Sequence, residues 1–292
     1  MAQKSNDLAK VARLAIMSLT FGSILKTGST QDASTRTLDI MDLGEMYADR
    51  WGVHNVELQH SYLLSTEASW LKTYRARLAQ TKSRVSNINL ELGAMSPSAA
   101  SPVDRAQFID LVKRWIGHAV TLGCPRIMLN QGALTEANKA VAIATLKTVG
   151  TYGKSRGVML SLEPRGARGG GRRGAAAADP AAPPTPPPPP PVPPYILLTE
   201  VIKGAGIYAN VDLANYGSQE AQHAGMRMMM PFTVGNTHMR LNPAQYDLPA
   251  ALKILREEFK YKGTYLIEQG IPPADTPYAS IQAVYEVVLE HM

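Results

Sequence analysis

The sequence predicts an α/β protein of the (β/α)8 TIM barrel class, folded as a single domain. Short apolar stretches alternate with amphipathic ones from end to end, which is typical of parallel strands joined by crossover helices. Eight such repeats fit within the 292 residues, as in a closed barrel. The rival fold, a doubly wound open sheet, would usually carry a glycine-rich phosphate turn after the first strand. Phe21-Gly22-Ser23 is not such a turn.

The predicted strands are short apolar runs bounded by turn residues. They cover residues 14–21, 54–58, 85–92, 125–130, 158–163, 207–212, 233–238 and 264–268. Residues 1–12 form a frayed or helical lead-in to a barrel of residues 13–292. Basic residues before the first apolar run loosely resemble a signal peptide, but no convincing small-residue cleavage site follows. We therefore interpret residues 14–21 as a strand.

Each predicted strand is followed by a stretch with helical spacing. The predicted helices cover residues 38–51, 67–82, 103–122, 136–152, 196–203, 218–230, 248–259 and 278–290. Trp70, Leu71, Tyr74 and Leu78 illustrate the pattern, since this spacing places them on one face of a helix. Pro102 is placed to begin the third helix, because proline is favoured at the first helical position.

Residues 166–194 interrupt the alternation directly after the fifth strand. This low-complexity Arg/Gly/Ala/Pro insert holds eleven of the 21 prolines and almost nothing that could join a core. Such composition predicts a disordered segment or an extended polyproline stalk. Two interpretations stay open: a genuine flexible insert, or an aberrant segment foreign to the fold, such as an out-of-frame read through GC-rich codons.

The charge and cysteine content limit the partners and the compartment. The net charge is +6, but residues 165–194 contribute four arginines against one aspartate, which is half of that excess. Nucleic acid is therefore not the expected partner. No apolar run approaches the ~20 residues needed to cross a bilayer, so we expect no membrane partner. The single Cys124 excludes an internal disulfide and fits a cytoplasmic location.

Four consecutive strands end in a side chain that can bind a metal ion. These residues are Glu163, Asp212, His238 and Glu268. Because the carboxyl ends of parallel barrel strands meet at one face, we expect the four side chains to converge. Three carboxylates and one imidazole suit Mn²⁺, Mg²⁺ or Co²⁺ better than structural Zn²⁺, which favours thiolates. The alternative is that they are unrelated polar residues at strand ends.

The sequence resembles the xylose isomerase-like barrels, specifically the sugar phosphate isomerase/epimerase group with its ketose 3-epimerases and inosose dehydratases. The resemblance covers residues 14–288 apart from 166–194. It is carried by Val56-Glu57-Leu58, Leu162-Glu163-Pro164, Asn210-Val211-Asp212, Thr237-His238-Met239-Arg240 and Leu266-Ile267-Glu268. It implies one divalent metal ion, with Mn²⁺ favoured and Mg²⁺, Co²⁺ or Zn²⁺ as alternatives. The implied ligands are Glu163, Asp212, His238 and Glu268.

Three departures from that family concern substrate recognition. Ketose 3-epimerases of the group have a further glutamate shortly after the first ligand, and residues 165–171 contain no acid. They have a histidine three residues after the aspartate, where this chain has Asn215. Their sugar-binding arginine follows the histidine ligand by several residues, whereas Arg240 follows His238 by two. We therefore name no particular sugar.

The resemblance implies a metal-dependent isomerase or epimerase acting on a sugar, keto-sugar or related polyol. A metal ion would stabilise the enediolate formed by proton abstraction, with Glu163 and Glu268 as the catalytic acid and base. Three alternatives stay open: a lyase or dehydratase acting on an inosose-like cyclic keto-polyol, a nuclease of the endonuclease IV type, and a non-catalytic sugar-binding barrel. Oligomers are common among such barrels, so a homo-oligomer is compatible with the resemblance.

The expected substrate-binding residues follow the strands that lead to the same face. They are Glu57, His60, Asn130, Asn215 and Arg240. Glu57, His60 and Asn130 either line the pocket or satisfy local backbone groups. Arg240 either binds a hydroxyl or phosphate of the substrate or pairs with a carboxylate of the site.

Overall fold

A computed structural model describes residues 2–27, 34–93, 95–164 and 193–292, apart from the side chains of residues 2–6. Eight parallel strands form a closed barrel in which each strand pairs with its neighbours in sequence, and β1 pairs with β8. The strands are β1 Leu14–Met17, β2 Asn55–Gln59, β3 Arg84–Leu90, β4 Arg126–Leu129, β5 Met159–Leu162, β6 Tyr208–Asp212, β7 Thr233–Met239 and β8 Thr264–Ile267. The predicted TIM barrel is confirmed.

The described residues contain nine α-helices. They are α1 Ala2–Val11, α2 Leu43–Trp51, α3 Ala68–Gln80, α4 Pro102–Leu122, α5 Lys139–Ser155, α6 Pro194–Ala205, α7 Gln219–Met229, α8 Leu248–Glu257 and α9 Pro277–His291. One helix follows each strand, and α1 is an addition before β1. None of these helices combines the length and the apolarity that crossing a bilayer requires.

The helix ends follow from local chemistry. The Ser101 side chain accepts a hydrogen bond from the backbone N–H of Asp104 at 3.2 Å, so it caps α4, and Pro102 is its first residue. Gly206 ends α6 with a φ of 65°, in the left-handed region that glycine adopts without a Cβ clash. The predicted start of α4 at Pro102 is thereby confirmed, and α6, predicted to end at residue 203, ends two residues later at Ala205.

The barrel has two buried regions that differ in composition. The outer layer lies between strands and helices and is apolar, with Ile16, Val56 and Leu58 among its strand residues. The lumen lies inside the ring of strands and holds buried asparagine, glutamine, glutamate and histidine side chains. A hydrogen bond from Asn236 of β7 to Glu57 of β2 crosses this lumen. Residues of β1 and β8 supply a smaller apolar cluster there, with Met17 as its largest β1 member.

The first strand is shorter than predicted. It ends at Met17, and residues Ser18–Phe21 form a 3-10 helix. The Ser18 hydroxyl accepts the backbone N–H of Gln59 at 2.8 Å, so a side chain replaces the strand's backbone pairing at that point. The turn brings the Phe21 ring to 5.5 Å from the ring of Tyr47. Phe21 is therefore apolar because it packs in the core, not because it belongs to a strand.

Two predicted helices begin later than the sequence pattern indicated. The first, predicted to begin at residue 38, starts as a 3-10 helix at Ile40 because Asp39 caps the N–H of Met41. The helix predicted at 136–152 begins at Lys139, since Asn138 and Thr135 hydrogen-bond each other's backbone N–H groups in a preceding turn.

The predicted insert at 166–194 falls largely outside the described residues, which resume at 193. Its last two residues belong to the barrel, because Pro193 directly precedes α6 at the N-cap position and Pro194 is the first residue of that helix.

Candidate metal centre

Four side chains from four strands converge at the carboxyl end of the barrel. Asp212 is the last residue of β6, His238 lies near the end of β7, and Glu163 and Glu268 directly follow β5 and β8. One potential ligand atom from each lies within 4.8 Å of the others. Asp212 and His238 are fully buried, and Glu163 is nearly so. The predicted convergence of these four residues is present in the fold.

His238 lies between three glutamates. Its Nδ1 atom is 3.2 Å from Oε2 of Glu163 and 3.1 Å from Oε2 of Glu268, while its Nε2 atom is 2.8 Å from Oε1 of Glu57. Burial alone would lower the pKa of His238, but the three carboxylates outweigh it and raise that pKa well above its usual value. The Nδ1 atom of His238 thus points toward two of the other converging carboxylates, those of Glu163 and Glu268.

Asp212 is held by three donors. One carboxylate oxygen accepts the backbone N–H of Ala214, and the other accepts Nδ2 of Asn215 at 2.6 Å and Nη2 of Arg240 at 3.0 Å. Burial raises the pKa of Asp212 to about 7, although Arg240 opposes the shift. These donors fix the carboxylate in place.

Arg240 links two carboxylates of the centre. Its Nη2 atom is 3.0 Å from Asp212 and 3.1 Å from Glu268. Arg240 comes two residues after His238, so the strand alternation places both on the same side of the chain. Asp212 and Glu268 raise the pKa of the guanidinium, which therefore stays charged.

The donor set fits a divalent cation. Oxygen and imidazole donors bind such ions at about 2.0–2.2 Å, so ligand atoms within 4.8 Å of one another can surround one ion. Four carboxylates, those of Glu57, Glu163, Asp212 and Glu268, face one guanidinium and one imidazole, and this excess of negative charge is costly to hold at a largely buried site without a cation. His238 could offer Nδ1 once that atom gives up its proton.

Comparisons with known proteins address the fold. No protein-family model and no curated protein matches this chain. A putative xylose isomerase from Rhodospirillum rubrum aligns with a TM-score of 0.68 at 13% identity, over 96% of this chain and 99% of that one. This likeness shows that the two chains share the (β/α)8 barrel fold.

Two other solved structures share this barrel but differ in their described activities. An L-ribulose 3-epimerase aligns with a TM-score of 0.64 at 14% identity, over 96% of this chain and 95% of that one. An AP endonuclease of family 2 from Brucella melitensis aligns with the same score and identity, over 93% and 98% of the two chains. At such identities the likeness establishes the fold and leaves the activity to the site.

A cavity of about 780 Å³ opens over the candidate metal centre of this barrel. Glu163, Glu268 and Arg240 form part of its wall, together with Asn215. Two of the five predicted substrate-binding residues, Asn215 and Arg240, therefore face it. Both also hydrogen-bond Asp212, so they connect the wall to the centre.

The other three predicted substrate-binding residues lie elsewhere and are not among the described residues that line this cavity. Glu57 is fully buried beneath His238. The Nδ1 atom of His60 accepts the backbone N–H of Glu91 at 3.3 Å. Asn130 accepts the N–H of Gly132 at 2.9 Å, an interaction that satisfies local backbone.

Several residues of the cavity wall were not predicted from the sequence. Glu91 directly follows β3, so the same strand-end pattern would have found it. Tyr195 and Tyr216 line the cavity with ring centroids 6.0 Å apart. Tyr195 lies at the start of α6, next to the proline-rich segment, and no motif distinguishes it from a core tyrosine.

Proposed function

We propose that this protein is a divalent-metal-dependent isomerase or epimerase acting on a sugar, keto-sugar or related polyol. The observation that carries the proposal is the convergence of Glu163, Asp212, His238 and Glu268 within 4.8 Å, beneath a cavity of about 780 Å³. Two proteins of similar structure, an L-ribulose 3-epimerase and a D-allulose 3-epimerase bound to D-allulose, support a sugar substrate.

Glu163 and Glu268 are the proposed acid and base. They follow β5 and β8, which are three positions apart around the ring, so they approach the centre from different sides. Both also line the cavity. One carboxylate can remove a proton from a substrate carbon, and the other can return a proton to the opposite face of that carbon.

The other polar residues orient the reacting groups. Arg240 holds Asp212 and Glu268 together and presents its guanidinium to the cavity, where it can donate to a substrate oxygen. Asn215 donates to Asp212 and fixes that carboxylate from the other direction. A bound divalent cation would act as a Lewis acid that stabilises the negative charge developing on adjacent substrate oxygens. Mn²⁺ is the favoured ion, and Mg²⁺, Co²⁺ or Zn²⁺ suit the same donors.

Proton abstraction can be tested without knowing the final product. Purified protein is stripped with a chelator, reloaded with Mn²⁺, and incubated in D₂O with a panel of ketoses, keto-sugars and inososes. NMR then follows deuterium incorporation into the substrate, and the product separates isomerisation from loss of water. We expect Glu163→Gln and Glu268→Gln each to slow exchange by about 10²- to 10⁴-fold, the usual contribution of acid–base catalysis.

The matched control is Glu136→Gln, the same chemical change at an exposed glutamate that pairs with Lys139 outside the centre. We expect its exchange rate to equal that of the wild type. Near-normal exchange in Glu163→Gln or Glu268→Gln would remove that residue from the mechanism. Absence of cation binding by the wild-type protein would contradict the proposal as a whole.

A nuclease of the endonuclease IV type is less well supported. That site clusters several metal ions and uses more histidines than the six of this chain provide at their positions. In the part of the chain that the structure describes, only one group of three or more potential ligands is found, and it contains a single histidine.

A further inference from the structure

Glu57 is a buried carboxylate to which the proposed reaction assigns no step. It lies in β2, its side chain is fully inaccessible, and Oε1 is 2.8 Å from Nε2 of His238. Within the described chain, neither of these two atoms has another hydrogen-bonding partner. The two atoms are therefore placed to hydrogen-bond each other.

The second oxygen of Glu57 is held by amides from two other strands. Oε2 accepts Nδ2 of Asn87 at 2.8 Å and Nδ2 of Asn236 at 3.2 Å. The same Asn236 nitrogen lies 3.0 Å from Oδ1 of Asn210. Residues of β2, β3, β6 and β7 thus fix the position of one carboxylate in the lumen.

This arrangement selects one nitrogen of His238 for the cation. A carboxylate that faces Nε2 requires that nitrogen to carry a proton, because a carboxylate without a proton can only accept. Nδ1 is then the atom that can offer its lone pair, and it is the one that faces Glu163 and Glu268. Partners behind ligating histidines commonly set ring orientation and tautomer in this way.

We propose that Glu57 is a positioning residue, which fixes the ring of His238 with Nε2 protonated and Nδ1 directed at the cation. The inference rests on the proposed function, since it assumes that the four converging residues bind a metal ion. It gives Glu57 a role in metal affinity instead of the substrate contact that the sequence suggested.

Glu57→Gln tests the inference with almost no change of volume. An amide has one oxygen, and the two asparagine donors compete for it with His238. When that oxygen faces the asparagines, the NH₂ group faces Nε2, which favours the tautomer with the proton on Nδ1. Titration of chelator-stripped protein with Co²⁺, followed by visible absorption, measures affinity and ligand geometry together. We expect Co²⁺ to bind about 10- to 100-fold more weakly, with altered absorption bands.

Gln59→Leu is the matched control. Gln59 lies two residues further along β2, also buried, and its Oε1 accepts Nδ2 of Asn89 at 2.7 Å. The substitution breaks the same kind of lumen hydrogen bond without touching His238. We expect thermal stability to fall, while Co²⁺ affinity stays within about twofold of the wild type because the sites share no partner.

The outcomes separate this inference from the proposed function. Wild-type protein that binds no Co²⁺ would overturn the metal site itself. If the wild-type protein binds Co²⁺ and Glu57→Gln binds it with an affinity within about twofold of the wild type, only the positioning role would be overturned. Weaker binding with unchanged absorption bands would also overturn it, since only the charge of Glu57 would then matter.

If Glu57→Gln fails to fold, Asn87→Ser decides, because it removes one donor that holds Glu57. We expect from it a smaller loss of affinity with the same spectral change, and unchanged binding and bands would overturn the role.

Discussion

The outer layer and the lumen are equally inaccessible to water but are built from opposite chemistry. Along β2, alternate residues face the two regions: Val56 and Leu58 join the apolar outer layer, while Glu57 makes hydrogen bonds across the lumen. Both faces of this strand are fully buried. Burying polar groups costs free energy unless they are paired. The lumen therefore does not contribute stability in the way the outer layer does, and its side chains are better understood as support for the candidate metal centre.

The lumen is itself divided around the ring. Ala15, Met17 and Leu266 form a small apolar cluster on β1 and β8, whereas β2, β3, β6 and β7 supply the asparagines and the glutamate. The hydrogen bonds on that polar side lead to His238. This division indicates that one side of the lumen is filled by packing and the other holds the four converging residues in place. We expect the two regions to respond differently to three changes, given from the largest expected effect on stability to the smallest.

Phe108→Ala should separate fold stability from site chemistry. Phe108 is a fully buried outer-layer residue of α4, and truncating such a phenylalanine costs about 3–5 kcal/mol of unfolding free energy through lost burial and the cavity left behind. The ligands lie on other elements, so we expect the Co²⁺ affinity of the folded protein to be unchanged. Urea denaturation and Co²⁺ titration measure the two quantities. Parallel losses in both would show that the outer layer and the lumen are one energetic unit.

In contrast to the outer layer, the lumen should affect the unfolding free energy mainly through the binding of a metal ion. An ion that binds only the folded state, present at 100 times its Kd, stabilises the protein by about 2.7 kcal/mol. We expect Mn²⁺ to raise the unfolding free energy of wild type and Phe108→Ala by equal amounts, measured by urea denaturation with Mn²⁺ or with chelator. Asp212→Asn removes one ligand and should abolish most of this increment. An equal increment in Asp212→Asn would place the stabilising ion elsewhere.

Most of the fold could be predicted from the sequence because the outer layer is encoded locally. Amphipathic spacing fixes which helix face packs on the barrel, and glycine or proline marks many of the boundaries. The strand boundaries were predicted wrongly where a residue is apolar for a reason other than strand formation. In the 3-10 helix Ser18–Phe21, Phe21 is apolar because it packs among aromatic rings and not because it pairs in a strand, and local patterns do not distinguish the two.

The site was only partly predictable, because depth inside a barrel is a property of the whole ring. The strand-end pattern identified Glu163, Asp212, His238 and Glu268. It also placed Glu57 near the mouth, whereas this residue lies beneath His238. Its depth depends on how β2 pairs with β3, and that register shifts between Val56 and Glu57. A shift of this kind arises from contacts between strands and leaves no mark in either strand alone.

Gly225→Ala tests the place where the outer layer reaches the cavity. Gly225 lies in α7, and a methyl group there would meet the ring of Tyr216 and approach the ring of Tyr195 to 3.1 Å, two residues of the cavity wall. Overpacking costs about 1–3 kcal/mol, while alanine gains about 1 kcal/mol of helix propensity, so the net loss of stability should be small. We expect the tyrosines to shift, raising the KM for a turned-over sugar while the Co²⁺ affinity stays constant.

The control is Gly117→Ala in α4, where the added methyl group meets nothing within 4 Å; it should raise the melting temperature and leave KM unchanged. An unchanged KM in Gly225→Ala would mean that the tyrosines contribute no substrate contact.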